Sequence, residues 1–401
     1  MTVGKLHIFL LTATAVLLPA YLWRFSVAGI PTNVLEVLII ATFATGAIDH
    51  GIRTSWRRAT QGLVWEVKIL VLVLVLSAAL STLISPHLET SLGILKGWII
   101  LPVLYGWMVF TQNSRQAVIV NALVISGTAV ALIGLTQLDS LDRVRSVYDV
   151  PNSLALYIAP ILTMATWRAL QGIRPGALWT ASAIMAAALL AAQTVGAIIA
   201  VVFTFVLGML FFPKVVSLTA RRGLIAAGIL TLLGSGILLQ DKISYLFQLD
   251  SSAAVRLQLW SISWEIVTEH PLLGIGLGTF EPAYQQHLHE RFSSFHSGVL
   301  LSEPLPEFVF RDPHNWVLSF WLNLGLTGLL SFATLAAVVV RKSWKNQTAI
   351  CLALIAILLL GLVDTVYWKN DLAILWWMLI GFLVRRPTER SDHGAVRQTE
   401  D

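Results

Sequence analysis

The sequence predicts an all-α integral membrane protein: about twelve transmembrane helices with one large extracytoplasmic loop that itself contains helices. Three observations predict it. The 401 residues are 56% hydrophobic and only 12% charged, with a mean hydropathy of +0.76, which leaves too few charges to solvate a soluble domain of this length. Apolar stretches of membrane length follow one another along most of the chain. The basic residues also divide unevenly between alternate connections, as they do when charge sets topology.

A membrane helix needs ~20 mostly apolar residues, because lipid offers no partner to backbone N–H and C=O groups. Such runs fall at residues 6–23, 32–48, 63–84, 92–110, 117–135, 153–169, 177–193, 196–212 and 223–239, then at 314–340, 348–363 and 371–384. The chain therefore divides into nine spans over 1–239, a loop over 240–313 with an amphipathic helix at 252–268, three spans over 314–384, and a polar tail over 385–401. The nearly unbroken stretch 177–212 is split at Gln193-Thr194-Val195-Gly196. The first run follows Lys5 but lacks a small-residue cleavage site, and the next run comes at once, so it is read as a helix rather than a signal peptide. Trp23, Trp98, Trp107, Trp179, Trp316 and Trp368 lie near the ends of runs, where indoles anchor at headgroups.

With the N-terminus inside, the cytoplasmic connections collect Lys5, Arg53, Arg57, Arg58, Arg115, Arg168, Arg174, Lys214, Arg221, Arg222, Arg341, Lys342, Lys345, Arg385, Arg386, Arg390 and Arg397, most of the 27 basic residues. Both termini are expected in the cytoplasm and 240–313 outside. The sequence pI of about 9.4 follows from this distribution, so membrane lipids and not nucleic acid are the expected surroundings. Cys351 is the only cysteine, and no intramolecular disulfide can brace the loop. No internal repeat is evident, which weighs against transporters built from repeated halves.

The candidate chemistry gathers at the outer side. In 252–270, Val255, Leu259, Ile262 and Ile266 fall on one helical stripe and Arg256, Trp260 and Ser263 on another. Such a helix lies on the membrane or caps the bundle, and a lone Arg256 reads first as a solvated charge. Gly274, Gly276 and Gly278 alternate, a pattern that either lets backbone N–H groups cradle a diphosphate or makes an ordinary turn. His287 and His289 are spaced i, i+2 with no third ligand marked, so no metal site is expected. Within the spans, Lys96 is expected to snorkel outward, and Asp364 to pair with Tyr367 and Lys369. Arg311-Asp312-Pro313-His314-Asn315 opens the tenth span; His314 there is either a proton acceptor whose basicity Asp312 raises or a helix cap. Asp139, Asp142, Arg143 and Arg145, followed by Tyr148 and Pro151-Asn152, read either as a phosphate-contacting loop or as a salt-bridged one.

Three of these places together resemble the O-antigen ligase and polymerase superfamily of bacterial envelope glycan enzymes. A His-Asn pair opens a membrane helix with glycines downstream, here His314-Asn315, then Gly325 and Gly328. An Arg, a Trp and a Pro-Leu-x-Gly-x-Gly-x-Gly-x-Phe block are similar to Arg256, Trp260 and Pro271 to Phe280. A Pro-Asn followed by small and aromatic residues is similar to Pro151-Asn152-Ser153-Leu154-Ala155-Leu156-Tyr157. Two positions depart from the pattern: Thr194-Val195-Gly196 stands where many members carry Ser-Arg-Gly, and Asn323 where an acidic residue is frequent.

The resemblance implies a glycosyltransferase of the inner membrane with its active site facing the periplasm, and an O-antigen ligase before a polymerase. Its implied partners are undecaprenyl-diphosphate-linked O-antigen and a lipid A-core acceptor, with no cofactor and no metal. His314 would be the catalytic base; Arg256, with Arg143, Arg145, Arg311, Asn315 and Asn152, would bind substrate. Arg143, Arg145, Arg291 and Arg311 are the cations available to replace the missing arginine.

Overall fold

The computed structural model describes residues 2–27, 29–51, 62–112, 115–212, 252–293 and 310–384, with a few isolated positions between. The expected ninth span at 223–239 and the tail over 385–401 lie outside the described residues. The described chain is mostly helical. One departure from an all-α fold is a short antiparallel hairpin of β1 (Arg24–Val27) and β2 (Ile30–Asn33). Gly29, with φ +81°, forms its tip, a conformation that costs glycine no Cβ clash.

In chain order the helices are α1 (Val3–Val16), α2 (Val34–His50), α3 (Trp65–Ile84), α4 (Leu88–Thr111), α5 (Gln116–Leu135), α6 (Pro151–Leu170), α7 (Pro175–Ala191) and α8 (Val195–Phe211). Then come α9 (Ser252–Glu269), α10 (Phe280–Ser293), α11 (Trp316–Ser343), α12 (Thr348–Leu360) and α13 (Asn370–Leu383). Each described apolar run lies on a helix. Five of these, α3, α4, α5, α6 and α11, are long and apolar enough by themselves to cross a membrane. The helices α1, α7, α8, α12 and α13 are apolar but shorter, between 10 and 17 residues.

Local chemistry sets the ends. Asn33 Oδ1 accepts from Glu36 N at 3.0 Å to start α2, and Asn315 Oδ1 accepts from Val317 N and Leu318 N at 2.9 and 3.2 Å to start α11, so donors that no helix turn can satisfy are capped. Pro151 and Pro175 occupy the first positions of α6 and α7, where a missing N–H costs nothing.

Two helices are buried almost throughout, α6 and α13. α6 packs against α5, α7, α8 and α12, and α13 against α4. In the α4–α13 crossing, a Cβ on Gly106 would stand about 3 Å from the Trp377 carbonyl carbon, and Gly381 faces Gly106 in return. Small residues of this kind let membrane helices approach backbone to backbone. Lys96 does not simply reach outward: it pairs with buried Glu36 at 2.8 Å and donates to the Pro31 carbonyl at 2.6 Å, tying α4 to the hairpin and α2.

Helix α9 matches the amphipathic segment expected over 252–268. Its Val255, Leu259, Ile262 and Ile266 stripe packs with Tyr284 and Leu288 of α10, Phe310, and Leu318 and Leu322 of α11 in a second apolar cluster. The helix thus caps α11, and Leu257 and Trp264 remain exposed on its other side.

Candidate functional site

The site forms where α9, the start of α6, the turn before α11 and the turn between α12 and α13 meet. Asp312 is buried and sets the first piece: it accepts from the backbone N–H of His314 at 2.9 Å, from Ser319 Oγ at 2.8 Å and from Thr365 Oγ1 at 2.9 Å. His314 itself has φ +52°, a left-handed conformation that costs a non-glycine residue on the order of 1–3 kcal/mol. The Asp312 bond and a bond from Trp260 Nε1 to the Pro313 carbonyl, 3.0 Å, hold it there.

The helix α11 begins at Trp316, so His314 and Asn315 precede it. Asn315 Nδ2 donates to the Leu362 carbonyl at 2.9 Å, and Trp316 N to the Gly361 carbonyl at 2.7 Å. These bonds fasten the turn after α12 against the start of α11 and bring Asp364 beside His314. Asp364 Oδ1 stands 3.1 Å from His314 Nδ1, and its Oδ2 accepts from Asn152 Nδ2 at 3.1 Å. Arg256 Nη2 lies 3.8 Å from the same Oδ2, while Arg256 Nε donates to the Val363 carbonyl at 2.7 Å. Tyr367 and Lys369, the partners expected for Asp364, go elsewhere: Tyr367 donates to the Trp98 carbonyl at 2.9 Å and Lys369 to Ser153 Oγ at 2.6 Å. Asp312, the carboxylate expected to raise the basicity of His314, bonds its backbone N–H and acts on the ring through its charge.

The electrostatics follow from this packing. Burial alone would lower the His314 pKa, but the hydrogen bond it donates to Asp364 and the charges of Asp364 and Asp312 outweigh it and hold the imidazole above its ordinary value. Burial pushes the Asp364 carboxyl up, yet the His314 bond and charge, with Arg256, bring it below the usual range. Burial dominates at Asp312, which is raised despite His314, Ser319 and Thr365. His314 therefore presents Nδ1–H to an ionised Asp364. Its Nε2 has no protein partner among the described residues, and the side chain is 32% exposed, so a proton can be taken on that side.

Arg143 reaches the same place from the loop before α6. Its Nη2 donates to Asn152 Oδ1 at 3.1 Å and its Nε to the Ala192 carbonyl at 3.1 Å, and Thr194 Oγ1 shares that Asn152 oxygen at 3.3 Å. A guanidinium thus stands beside Thr194-Val195-Gly196, the turn that lacks one of its own. Arg145 is exposed with its guanidinium on the Asp149 carbonyl, 3.2 Å. Arg311 is 86% exposed and 3.9 Å from Glu281. Arg291 bonds Ser261 and Glu265, and His287 pairs with Glu269 at 3.1 Å. Among the described residues none of these four hydrogen-bonds or ion-pairs with His314, Asp364 or Arg256. Among the described residues no group of His, Cys, Asp and Glu could hold a metal.

The alternating glycines are a joint and not a cradle. All three have positive φ, +70°, +102° and +76°. The N–H groups of Gly274, Ile275, Leu277 and Gly278 go to His270, Leu322 and Ser81 carbonyls and to Asn323 Oδ1. Gly325 breaks α11 at φ +69°, ψ −177°, and Leu326 N turns to the Leu272 carbonyl at 3.2 Å. Asn323, at the frequently acidic position, serves this joint: it also donates to the Ser319 carbonyl at 2.8 Å.

A helical bundle rich in membrane-length apolar segments carries a His–carboxylate–Arg cluster at the ends of its helices. Residues 180–333 match the family model described as O-antigen ligase. The matched segment carries Thr194, Arg256, the glycine joint, His314, Asn315 and Gly325; Arg143, Asn152 and Asp364 lie beyond it. No curated protein matches the chain. Five helices long and apolar enough to cross a membrane, with five shorter apolar helices beside them, describe a membrane protein of several spans.

Proposed function

We propose that this protein is an O-antigen ligase, transferring a glycan from undecaprenyl diphosphate to a sugar hydroxyl of lipid A-core at the periplasmic face. The convergence of His314, Asp364 and Arg256 from separate elements carries the reading. His314 Nε2 takes the proton of the acceptor hydroxyl while Asp364 holds the ring through Nδ1. The acceptor oxygen attacks the anomeric carbon opposite the phosphate, the bond from that carbon to the diphosphate oxygen breaks, and undecaprenyl diphosphate leaves with inversion at the sugar. Arg256 stabilises charge on the departing diphosphate, a fixed cation where the surrounding dielectric is low. Arg143 and Asn152 support the donor side. The lipid-linked sugar is already activated, so the reaction needs no nucleotide and no metal. The layout of one large loop between the ninth and tenth spans favours the ligase over the polymerase.

The test is transfer in vitro with purified protein, lipid-linked O-antigen, lipid A-core acceptor and EDTA. Wild type forms the conjugate, and His314→Ala, still folded, loses ~10²–10⁴-fold of the rate, the usual worth of a positioned base. Arg256→Ala is also severely impaired. Elongation of the donor by wild type makes the protein a polymerase, and full activity of both variants removes the proposed site.

A further inference from the structure

The end of α6 opposite the candidate site holds a cation that the protein leaves unneutralised. Arg168 lies in the last turn of α6, roughly 24 Å of helix from Asn152 at 1.5 Å per residue. Its side chain is half-buried, and its Nε is buried without a hydrogen-bond partner. Among the described residues no carboxylate pairs with this guanidinium, and the charge that acts on it is a second positive one, Arg174. Lys342 at the same end of the bundle, by contrast, pairs with Glu66 at 2.8 Å.

The turn after α6 keeps the two arginines together. Gly172, at φ +77°, lets the chain reverse; its N–H goes to the Ala169 carbonyl and that of Ile173 to the Arg168 carbonyl, both at 3.0 Å. Arg174 therefore follows directly on a residue bonded to Arg168. It opens α7 at φ +44° without a side-chain cap, Pro175 has no N–H to give, and the Gly176 and Ala177 N–H groups have no partner inside the helix. A Cβ on Gly172 or Gly176 would meet nothing within 4 Å, so the space over the turn is open. Ile173 and Trp179 are exposed beside it, as residues at headgroup depth are. A phosphate over this turn meets two guanidinium groups and free backbone donors at once.

We propose that Arg168 and Arg174, with the open start of α7, bind the phosphodiester of an anionic glycerophospholipid in the leaflet opposite the His314 cluster. The position of the turn selects a lipid over free phosphate, because it joins the end of a membrane-length helix to exposed Ile173 and Trp179, at the depth that headgroups occupy. A net-negative headgroup is preferred to a zwitterionic one, since it brings no cation of its own against Arg174. No covalent bond forms or breaks. The bound lipid ties α6 to α7 and acts on the stability of the bundle, not on proton transfer at His314, and it does so whether or not the protein is a ligase.

The test uses the full-length protein in nanodiscs of phosphatidylcholine alone and of phosphatidylcholine mixed with phosphatidylglycerol, read by melting temperature, with phosphatidylglycerol binding titrated by native mass spectrometry. Wild type is expected to bind phosphatidylglycerol and to melt about 3–5 °C higher with it. Arg168→Met binds it at least ~10-fold more weakly, the loss of one hydrogen-bonded charge, and shows no such rise. In phosphatidylcholine alone it melts no lower than wild type, because it gives up no protein partner. Arg174→Asn, which suits the left-handed φ, weakens binding in the same way and keeps the test decisive should Arg168→Met fold poorly. Lys345→Gln, exposed after α11 and outside the turn, leaves binding within about 3-fold. An equal loss in all three variants shows diffuse attraction to a basic surface and overturns the site, as does unchanged binding in folded Arg168→Met and Arg174→Asn. Inorganic phosphate that reproduces the full rise in phosphatidylcholine, and loses it in Arg168→Met, overturns the lipid as occupant.

Discussion

At the residue scale, the Asp364–His314 pair decides how the imidazole behaves. Asp364 raises the His314 pKa above the ordinary value against the effect of burial, so the ring becomes a neutral base only at a pH above the usual imidazole range. Transfer should accordingly rise with pH along a limb set by His314. Removing the carboxylate charge lowers the imidazole pKa, so Asp364→Asn is expected to move that limb to lower pH. The same change loses the tautomer and orientation that Nδ1–H···Oδ1 fixes, and kcat should drop ~10²-fold or more. A pH–rate profile over roughly pH 5–9 checks both. A limb left in place would mean that Asp364 does not face the titrating group. The sequence singled out His314 by its place after Pro313 at the opening of a span, whereas its helix stripe read Arg256 first as a solvated charge and only the resemblance gave it a substrate-binding role. The role of Asp364 was not. Fifty residues separate it from His314, no periodic spacing links them, and nearby Lys369 offered a plausible partner. The available signal was a carboxylate at the end of an otherwise uncharged apolar run, since such a group needs a strong partner to stay ionised.

At the scale of elements, the structure decides what the glycine pattern left open. Alternating glycines suit an anion cradle and a tight backbone joint equally well, because both need positive φ and no Cβ. Only the third dimension distinguishes them, through the α11 carbonyls freed by the break at Gly325. Gly276 has φ +102°, and a Cβ there would stand 2.9 Å from Ser85 Cα. Gly276→Ala is therefore expected to cost on the order of 1–3 kcal/mol by backbone strain alone and to melt earlier in detergent. Gly93→Ala, with nothing within 4 Å of the added Cβ, serves as the control. The folded fraction of Gly276→Ala should keep the wild-type donor KM, because the Gly274 and Gly278 N–H groups are already taken by the His270 carbonyl and Asn323 Oδ1. A raised donor KM at unchanged melting temperature would restore the cradle. The apolar runs, by contrast, were readable directly, since lipid forces each backbone group to be satisfied within its own segment. The hairpin at residues 24–33 was not, because a four-residue strand leaves too short a pattern to see.

For the whole molecule, topology and chemistry are one question. His314, Asp364, Asn152 and Arg256 come from the ends of α11, α12, α6 and from α9, and all meet at one end of the bundle. The side of the membrane that carries α9 therefore carries the site. We propose that this side is outside, because the cytoplasmic connections expected from the sequence hold most of the basic residues. The prediction uses the single native cysteine, Cys351, which is fully buried and gives little background with a membrane-impermeant maleimide. Glu269, at the end of α9, has a side chain 55% exposed. Glu269→Cys is expected to label in cells whose outer membrane alone has been opened, and Arg397→Cys only in inverted inner-membrane vesicles. The reverse pattern would put His314 in the cytoplasm, facing nucleotide-activated sugars instead of glycans already carried across on lipid diphosphate. A ligase could not work from there, however well its histidine and arginine were placed.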